Sequence, residues 1–147
     1  MNKKLIFILF FVVFGIAAFS QNSEKISEVL SCDEVSKGQA SYFVCVWQNL
    51  ENENVDDDRA FSILSEQSLF DAGEDAAQKI SLSKSCYLIA RTANMNGGIL
   101  YSIFKSERYA FRECKALGII PAYADPNQKV SGTEFLAILN EFEKKGR

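Results

Sequence analysis

Apolar residues return at three- and four-residue steps along several windows of the chain, the spacing that puts side chains on one face of an α-helix. Phe135, Ile138, Leu139 and Phe142 share one such face, as do Phe61, Leu64 and, further along, Ser68 and Leu69. A similar run begins at Ser83 and passes through Cys86, Leu88, Ile89 and Ala93. Ser131 or Thr133, followed by Glu134, offers an N-cap with an early acid. Asp56-Asp57-Asp58 reads as the negative first turn of the helix through Phe61 and Leu64, where the helix dipole favours acids. Gly73, Gly97-Gly98 and the stretch from Pro121 to Pro126 break the pattern, and none of the linkers they mark is long. Strict alternation is weak throughout, so the pattern predicts an all-α domain with no sheet.

The first twenty residues follow a different rule. Lys3 and Lys4 precede an uncharged run from Leu5 to Phe19, and Ala18-Phe19-Ser20 follows as small-x-small. That layout predicts a secretory signal peptide over 1–20, cleaved between Ser20 and Gln21. A retained membrane anchor is the competing reading, but the run is short against the roughly 20 residues needed to cross a bilayer. No Cys lies beside the cleavage point to carry a lipid, the nearest being Cys32. The expected product is an exported protein of the periplasm or cell surface, residues 21–147, with no transmembrane segment after cleavage.

Within that remainder three windows repeat one phrase. Val35-Ser36-Lys37-Gly38-Gln39, Ile80-Ser81-Leu82-Ser83-Lys84 and Val130-Ser131-Gly132-Thr133-Glu134 each run into an apolar helix, and their starts lie 45 and 50 residues apart. Upstream, Ala60-Phe61 and Ala110-Phe111 match at the same 50-residue offset, and Leu69-Phe70 answers Ile119-Ile120. The unit is helix, loop, β-branched-Ser turn, helix, with copies at about 24–50, 56–95 and 106–145. The first copy has only Ile26 to Leu30 as its leading helix. One helix pair of this size cannot close a core, whereas three packed about a common axis can.

Composition narrows the chemistry. The chain holds 16 Lys+Arg against 19 Asp+Glu, a formal charge of -3, with four Cys and no His. Without His there is no Ser-His-Asp or Cys-His pair, no His-containing zinc site and no imidazole acid or base. The mildly acidic balance, -5 over residues 21–147, offers no footprint for a nucleic-acid backbone. No nucleophile-base pair, metal set or cofactor motif can be assembled, so a non-catalytic role is expected, with no cofactor and no metal.

Leu117-Gly118-Ile119-Ile120, Ala122-Tyr123-Ala124-Asp125-Pro126 and Val130-Ser131-Gly132-Thr133-Glu134-Phe135, running on through Leu139, resemble the S-layer homology repeat. In that family a leading helix ends in leucine-glycine-isoleucine-isoleucine. A loop then carries glycine-tyrosine-x-aspartate, and the second helix opens with isoleucine-threonine-arginine-alanine-glutamate-phenylalanine. The resemblance spans about residues 109–143, less closely 59–93, and faintly 24–50. It implies a compact pseudo-threefold bundle of three repeats. It further implies non-covalent anchoring to peptidoglycan or a cell-wall polysaccharide, in which the motif arginine engages an acidic glycan group. Here the arginine position holds Lys37, Leu82 and Gly132, and the glutamate position holds Gln39, Lys84 and Glu134. Lysine can supply the charge of that arginine but not its bidentate fork. The glycan-contacting residues expected on this basis are Lys37 and Tyr123 on the loop; Arg108 is added to them because, with Lys105, it flanks the apolar insertion Gly97 to Phe104 and brings positive charge to the groove there. The alternative partner is an envelope protein, reached by an adaptor whose repeats have lost glycan binding.

The remaining constellations are open or bland. Cys32, Cys45, Cys86 and Cys114 suggest two disulfides in an exported chain, Cys32–Cys45 and Cys86–Cys114. Free thiols acting as small hydrophobes are the alternative, since Cys86 answers Leu136 and Cys114 answers Leu64 in the 50-residue register. Asp125 to Val130 fails the calcium-loop spacing, and Asp125 and Asn127 read as turn residues. Trp47, Tyr42, Tyr101 and Tyr109 are expected at partly buried core or groove positions, with stacking on sugar rings as the alternative. The insertion Gly97 to Phe104 is expected to cover the bundle core, with a partner-binding patch as the alternative.

Overall fold

The structure, a computed structural model, describes residues 23–145. The expected signal peptide and its cleavage point lie outside the described residues. The described residues form seven helices: α1 over 23–30, α2 Lys37–Trp47, α3 Asp57–Glu66, α4 Leu82–Thr92, α5 Ile99–Phe104, α6 Glu107–Ala116 and α7 Gly132–Lys145. Among the described residues there is no strand, only two isolated antiparallel bridges, Ser36 with Lys79 and Ser81 with Lys129. The chain is all-α, as the periodicity predicts. No helix among the described residues is long and apolar enough to cross a membrane.

The three Val/Ile-Ser phrases start the three helices that pass through the core. Ser36, Ser81 and Ser131 cap α2, α4 and α7, their hydroxyls accepting from the N–H of Gln39 at 3.1 Å, Lys84 at 3.2 Å and Glu134 at 3.3 Å. Each serine satisfies one of the donors that a helix start leaves without an internal partner. Gln39 reaches back to the Ser36 N–H at 3.0 Å, completing a capping box. The first N–H groups of these helices find carbonyls on a neighbouring loop. Lys37 and Gly38 donate to Gln78 and Ala76, Leu82 and Ser83 to Gln128 and Pro126, and Gly132 to Cys32.

The residues ahead of the caps meet at the centre. Val35, Ile80 and Val130 are fully buried. The Val35 N–H donates to the Val130 carbonyl at 2.8 Å, and the Ile80 N–H to the Val35 carbonyl at 3.0 Å. Around them Leu88, Ile89, Phe135, Ile138 and Phe142 complete a core in which α4 is central, packing on α2, α6 and α7. α2 lies against α3, α4 against α6, and the start of α7 against the end of α1. Asp75 and Asp125 fold the loops before α4 and α7 by taking nearby backbone N–H groups on their carboxylates.

Four helices end alike. After α2, α3, α4 and α6 a left-handed residue follows, Asn49, Ser68, Asn94 and Gly118. In each case the next N–H bonds back to the carbonyl five residues earlier: Leu50 to Cys45, Leu69 to Leu64, Met95 to Ala90 and Ile119 to Cys114. This is the Schellman closure, and it explains a departure from the periodicity. Ser68 and Leu69 do not extend the helical face of Phe61 and Leu64. α3 stops at Glu66, Ser68 takes φ 58° and Leu69 folds back into the core.

Ser68 and Gly118 occupy equivalent turns, but only glycine takes φ above zero without steric cost. Ser68→Gly is expected to raise the unfolding free energy by about 0.5–1 kcal/mol, and Gly118→Ala to lower it by about 1 kcal/mol, in urea titrations followed by circular dichroism.

Candidate functional site

The cationic positions of the repeated phrase do not face open solvent together. Lys37 is buried at the first turn of α2, its Nζ 2.6 Å from Gln78 Oε1 and 2.7 Å from Glu74 Oε1. Leu82 is in the core, and Gly132 is buried against α1. A β-carbon at Gly132 would stand 1.5 Å from the Val29 carbonyl oxygen, so no side chain fits this register position. Two of the three places where the resemblance puts an arginine are thus filled by packing. The third is tied to a carboxylate of the chain itself.

Glu74 is the hub of that arrangement. Its second oxygen lies 3.3 Å from Lys84 Nζ, on the first turn of α4, and its first accepts from Lys37. The loop places the carboxylate there because Asp71 N–H also donates to it, at 2.6 Å. Lys84 is buried, reaches Glu107 on α6 at 4.0 Å, and lies over the rings of Phe70 and Tyr87 at 5.3 and 5.5 Å. Ser83 donates to the other oxygen of Glu107. Burial alone would raise the Glu74 pKa. The hydrogen bonds from Lys37 and Asp71, with the charges of Lys84 and Lys37, outweigh it and hold the carboxyl below its ordinary value.

The expected glycan contacts are scattered by the fold. Arg108 is exposed on α6 and lines an open cleft of about 530 Å³ with Ser83, Glu107, Phe111, Arg112 and Pro126. Neither Lys37 nor Tyr123 lines that cleft. Tyr123 is 91% exposed on the loop before α7. Of the other aromatics, Tyr42 and Tyr101 are buried, and Tyr109 stacks on Phe104 at 5.3 Å. Glu107 and Arg112 are groove residues that sequence reasoning did not single out. Their spacing from Arg108 on one helix was the available signal. Glu74 was missed as well, although in the 50-residue register it stands where the third copy has Ala124.

The insertion and the cysteines also differ from expectation. Gly97 to Phe104 forms the short α5, of which only Tyr101 enters the core. Ile99, Leu100, Ile103 and Phe104 stay exposed, with Phe104 stacked on Tyr109. All four cysteines are thiols, with no pair at bonding distance, so neither expected disulfide is present. Cys32 sits beside Gln39, while Cys45 is buried with its sulfur 3.7 Å from the Ala60 carbonyl. Burial, with Glu51 nearby, pushes the Cys45 thiol up to about 11. Cys114 is buried on α6 as a hydrogen-bonding neighbour of Cys86, which together with burial raises its pKa.

No family model, curated protein or solved structure matches this chain.

Replacing Glu74 leaves two buried ammonium groups short of a carboxylate, so Glu74→Gln is expected to cost about 2–3 kcal/mol. The folded-state pKa of Glu74 lies below its ordinary value of 4.5. Its contribution is therefore complete above that value and is lost as pH falls through the lower folded pKa. In thermal melts the gap between wild type and Glu74→Gln should be widest near neutrality and close on acidification below about pH 4.5. Gly132→Ala should cost about 3 kcal/mol or more, because the clash is with backbone that α1 cannot withdraw without unpacking Val29; urea titration measures it.

Proposed function

We propose that this chain is an exported, non-catalytic module of the cell envelope, built from three repeats similar to S-layer homology units in a pseudo-threefold bundle. On this reading it binds peptidoglycan or a wall-linked polysaccharide for anchoring. The observation that carries the reading is the recurrence of one device at 45- and 50-residue intervals. A buried β-branched residue precedes a serine cap, and the helix begins with its N–H groups bonded to a neighbouring loop. The loop aspartates Asp75 and Asp125 recur with it as turn formers. The apolar leader over 1–20 supports export to the periplasm or cell surface.

In this reading the glycan meets the exposed side of the molecule. Arg108 and Arg112 offer planar donors for an acidic sugar group at the 530 Å³ cleft. Tyr123 offers an exposed ring for a sugar face. Lys37 takes part only by exchanging Glu74 for a ligand carboxylate. That requirement favours a second reading, an adaptor that engages an envelope protein. Its specific support is that the three register positions are spent on Glu74, on the core and on the contact with α1.

Co-sedimentation with purified sacculi separates the two. Glycan anchoring predicts retention at low salt, and loss of retention on stripping the attached polymers if the ligand is a secondary polysaccharide. Arg108→Ala combined with Tyr123→Ala should weaken retention about tenfold, a loss of about 1.4 kcal/mol. Undiminished retention in that variant removes both residues from the site. No sedimentation at any salt concentration defeats the glycan reading and directs the search to envelope pull-downs.

A further inference from the structure

A second cavity, of about 380 Å³, lies between the end of α4 and α5, lined by Ala90, Arg91, Asn94, Met95, Asn96, Tyr101, Ser102 and Lys105. Its volume falls within the range of about 300–1,000 Å³ typical of small-ligand sites. Arg91 stands at its wall in the last turn of α4, half-buried, with Nε fully enclosed and without a hydrogen-bond partner. Among the described residues the Arg91 guanidinium makes no hydrogen bond and no ion pair. Lys105, across the cavity at the end of α5, has no carboxylate partner among them either.

The carboxylates of the fold are placed elsewhere. No Asp or Glu lines this cavity, and no Asp or Glu occurs outside residues 23–145. Glu113, the nearby acid of α6, lies beside Gly98 and is not part of the lining, though its charge, like that of Arg91, acts on Tyr101. Every buried lysine of the network around Glu74 is paired, so an unpaired, partly enclosed guanidinium is an exception within this molecule. Nε is closed off from the cavity, so an oxyanion there would be met by the terminal guanidinium nitrogens, which no acceptor of the fold occupies. Asn94 and Asn96 add neutral amides able to donate to further oxygen atoms of the same ligand, whereas the Ser102 hydroxyl already donates to the Gly97 carbonyl at 3.1 Å and offers only an acceptor.

We propose that this cavity binds a small oxyanion-bearing molecule, the phosphate or carboxylate group being held between Arg91 and Lys105. Arg91 supplies the directional contact through its fork, and Lys105 supplies charge. The site is separate from the Arg108 cleft and does not depend on the envelope reading. Glycan retention and small-anion binding can therefore fail independently.

Calorimetric titration of the full chain tests it, with sodium phosphate, sodium glucuronate and sodium chloride compared at constant ionic strength. Saturable binding of phosphate or glucuronate is expected at or below about 1 mM, with chloride silent. Tighter phosphate binding identifies a phosphorylated ligand, and tighter glucuronate binding an acidic sugar. Arg91→Met and Lys105→Met should each weaken the interaction about tenfold or more, with helicity retained by circular dichroism. Should Arg91→Met fail to fold, Arg91→Lys keeps the stem and charge but not the fork, and an affinity loss of about threefold or more is then expected. The proposal is overturned by heats that follow ionic strength alone, by the absence of saturation up to about 10 mM, or by binding that the Arg91 and Lys105 variants leave unchanged.

Discussion

The fold depends on how three helix starts dispose of their backbone donors. A helix that begins in a protein interior leaves N–H groups that water cannot reach, and each must find an acceptor. Here α2, α4 and α7 solve the problem with a serine cap and a carbonyl borrowed from another segment. Because each borrowed carbonyl belongs to a distant stretch, satisfying one helix start fixes the place of the next segment. Val35, Ile80 and Val130 fill the middle of this arrangement, so hydrogen bonding and apolar burial act on the same residues. The pairing of α2 with α3 and of α4 with α6 follows from it.

Much of this was legible in the sequence, because the devices are local. A β-branched residue followed by serine before an apolar run is a complete instruction: bury, cap, begin. The fully helical class follows from the spacing of Phe135, Ile138, Leu139 and Phe142, which no strand could bury on one side. Where helices end was less legible. Ser68 carries no mark of a left-handed turn, whereas Gly118 at the equivalent place does, and the continuation of apolar spacing to Leu69 hid the stop.

What could not be read was the use made of side chains brought together from far apart. Lys37 and Glu74 are 37 positions apart, and only the loop geometry around Asp71 brings them to 2.7 Å. Gly132 shows no strain of its own in the sequence. Its necessity comes from the Val29 carbonyl, delivered by a helix more than 100 residues earlier. The fold brings Cys86 and Cys114 side by side as thiols, whereas the Cys32–Cys45 pairing failed for a similar reason. Cys32 and Cys45 bracket a short stretch in sequence, yet one lies beside the capping box and the other faces α3.

The same long-range contacts determine which parts of the surface remain chemically open. Charge at Lys37 and Lys84 is neutralised inside the fold by Glu74 and Glu107, which removes the most regular cations of the repeated phrase from any direct encounter with a ligand. Lys79 and Lys129, 50 residues apart, donate only to backbone carbonyls; the uncompensated cations that line a cleft or cavity are irregular in sequence, Arg108 and Arg112 on α6 and Arg91 with Lys105 around α5. Of these only Lys105 lies between the copies; Arg91 belongs to the second copy, and Arg108 and Arg112 to the third, at positions where the other copies carry no arginine. In the three-repeat reading the shared positions build the scaffold while recognition falls to positions at which the copies differ from one another. A ligand would then be selected by the residues the repeat does not prescribe, and the register that makes the fold recognisable would say little about what is bound.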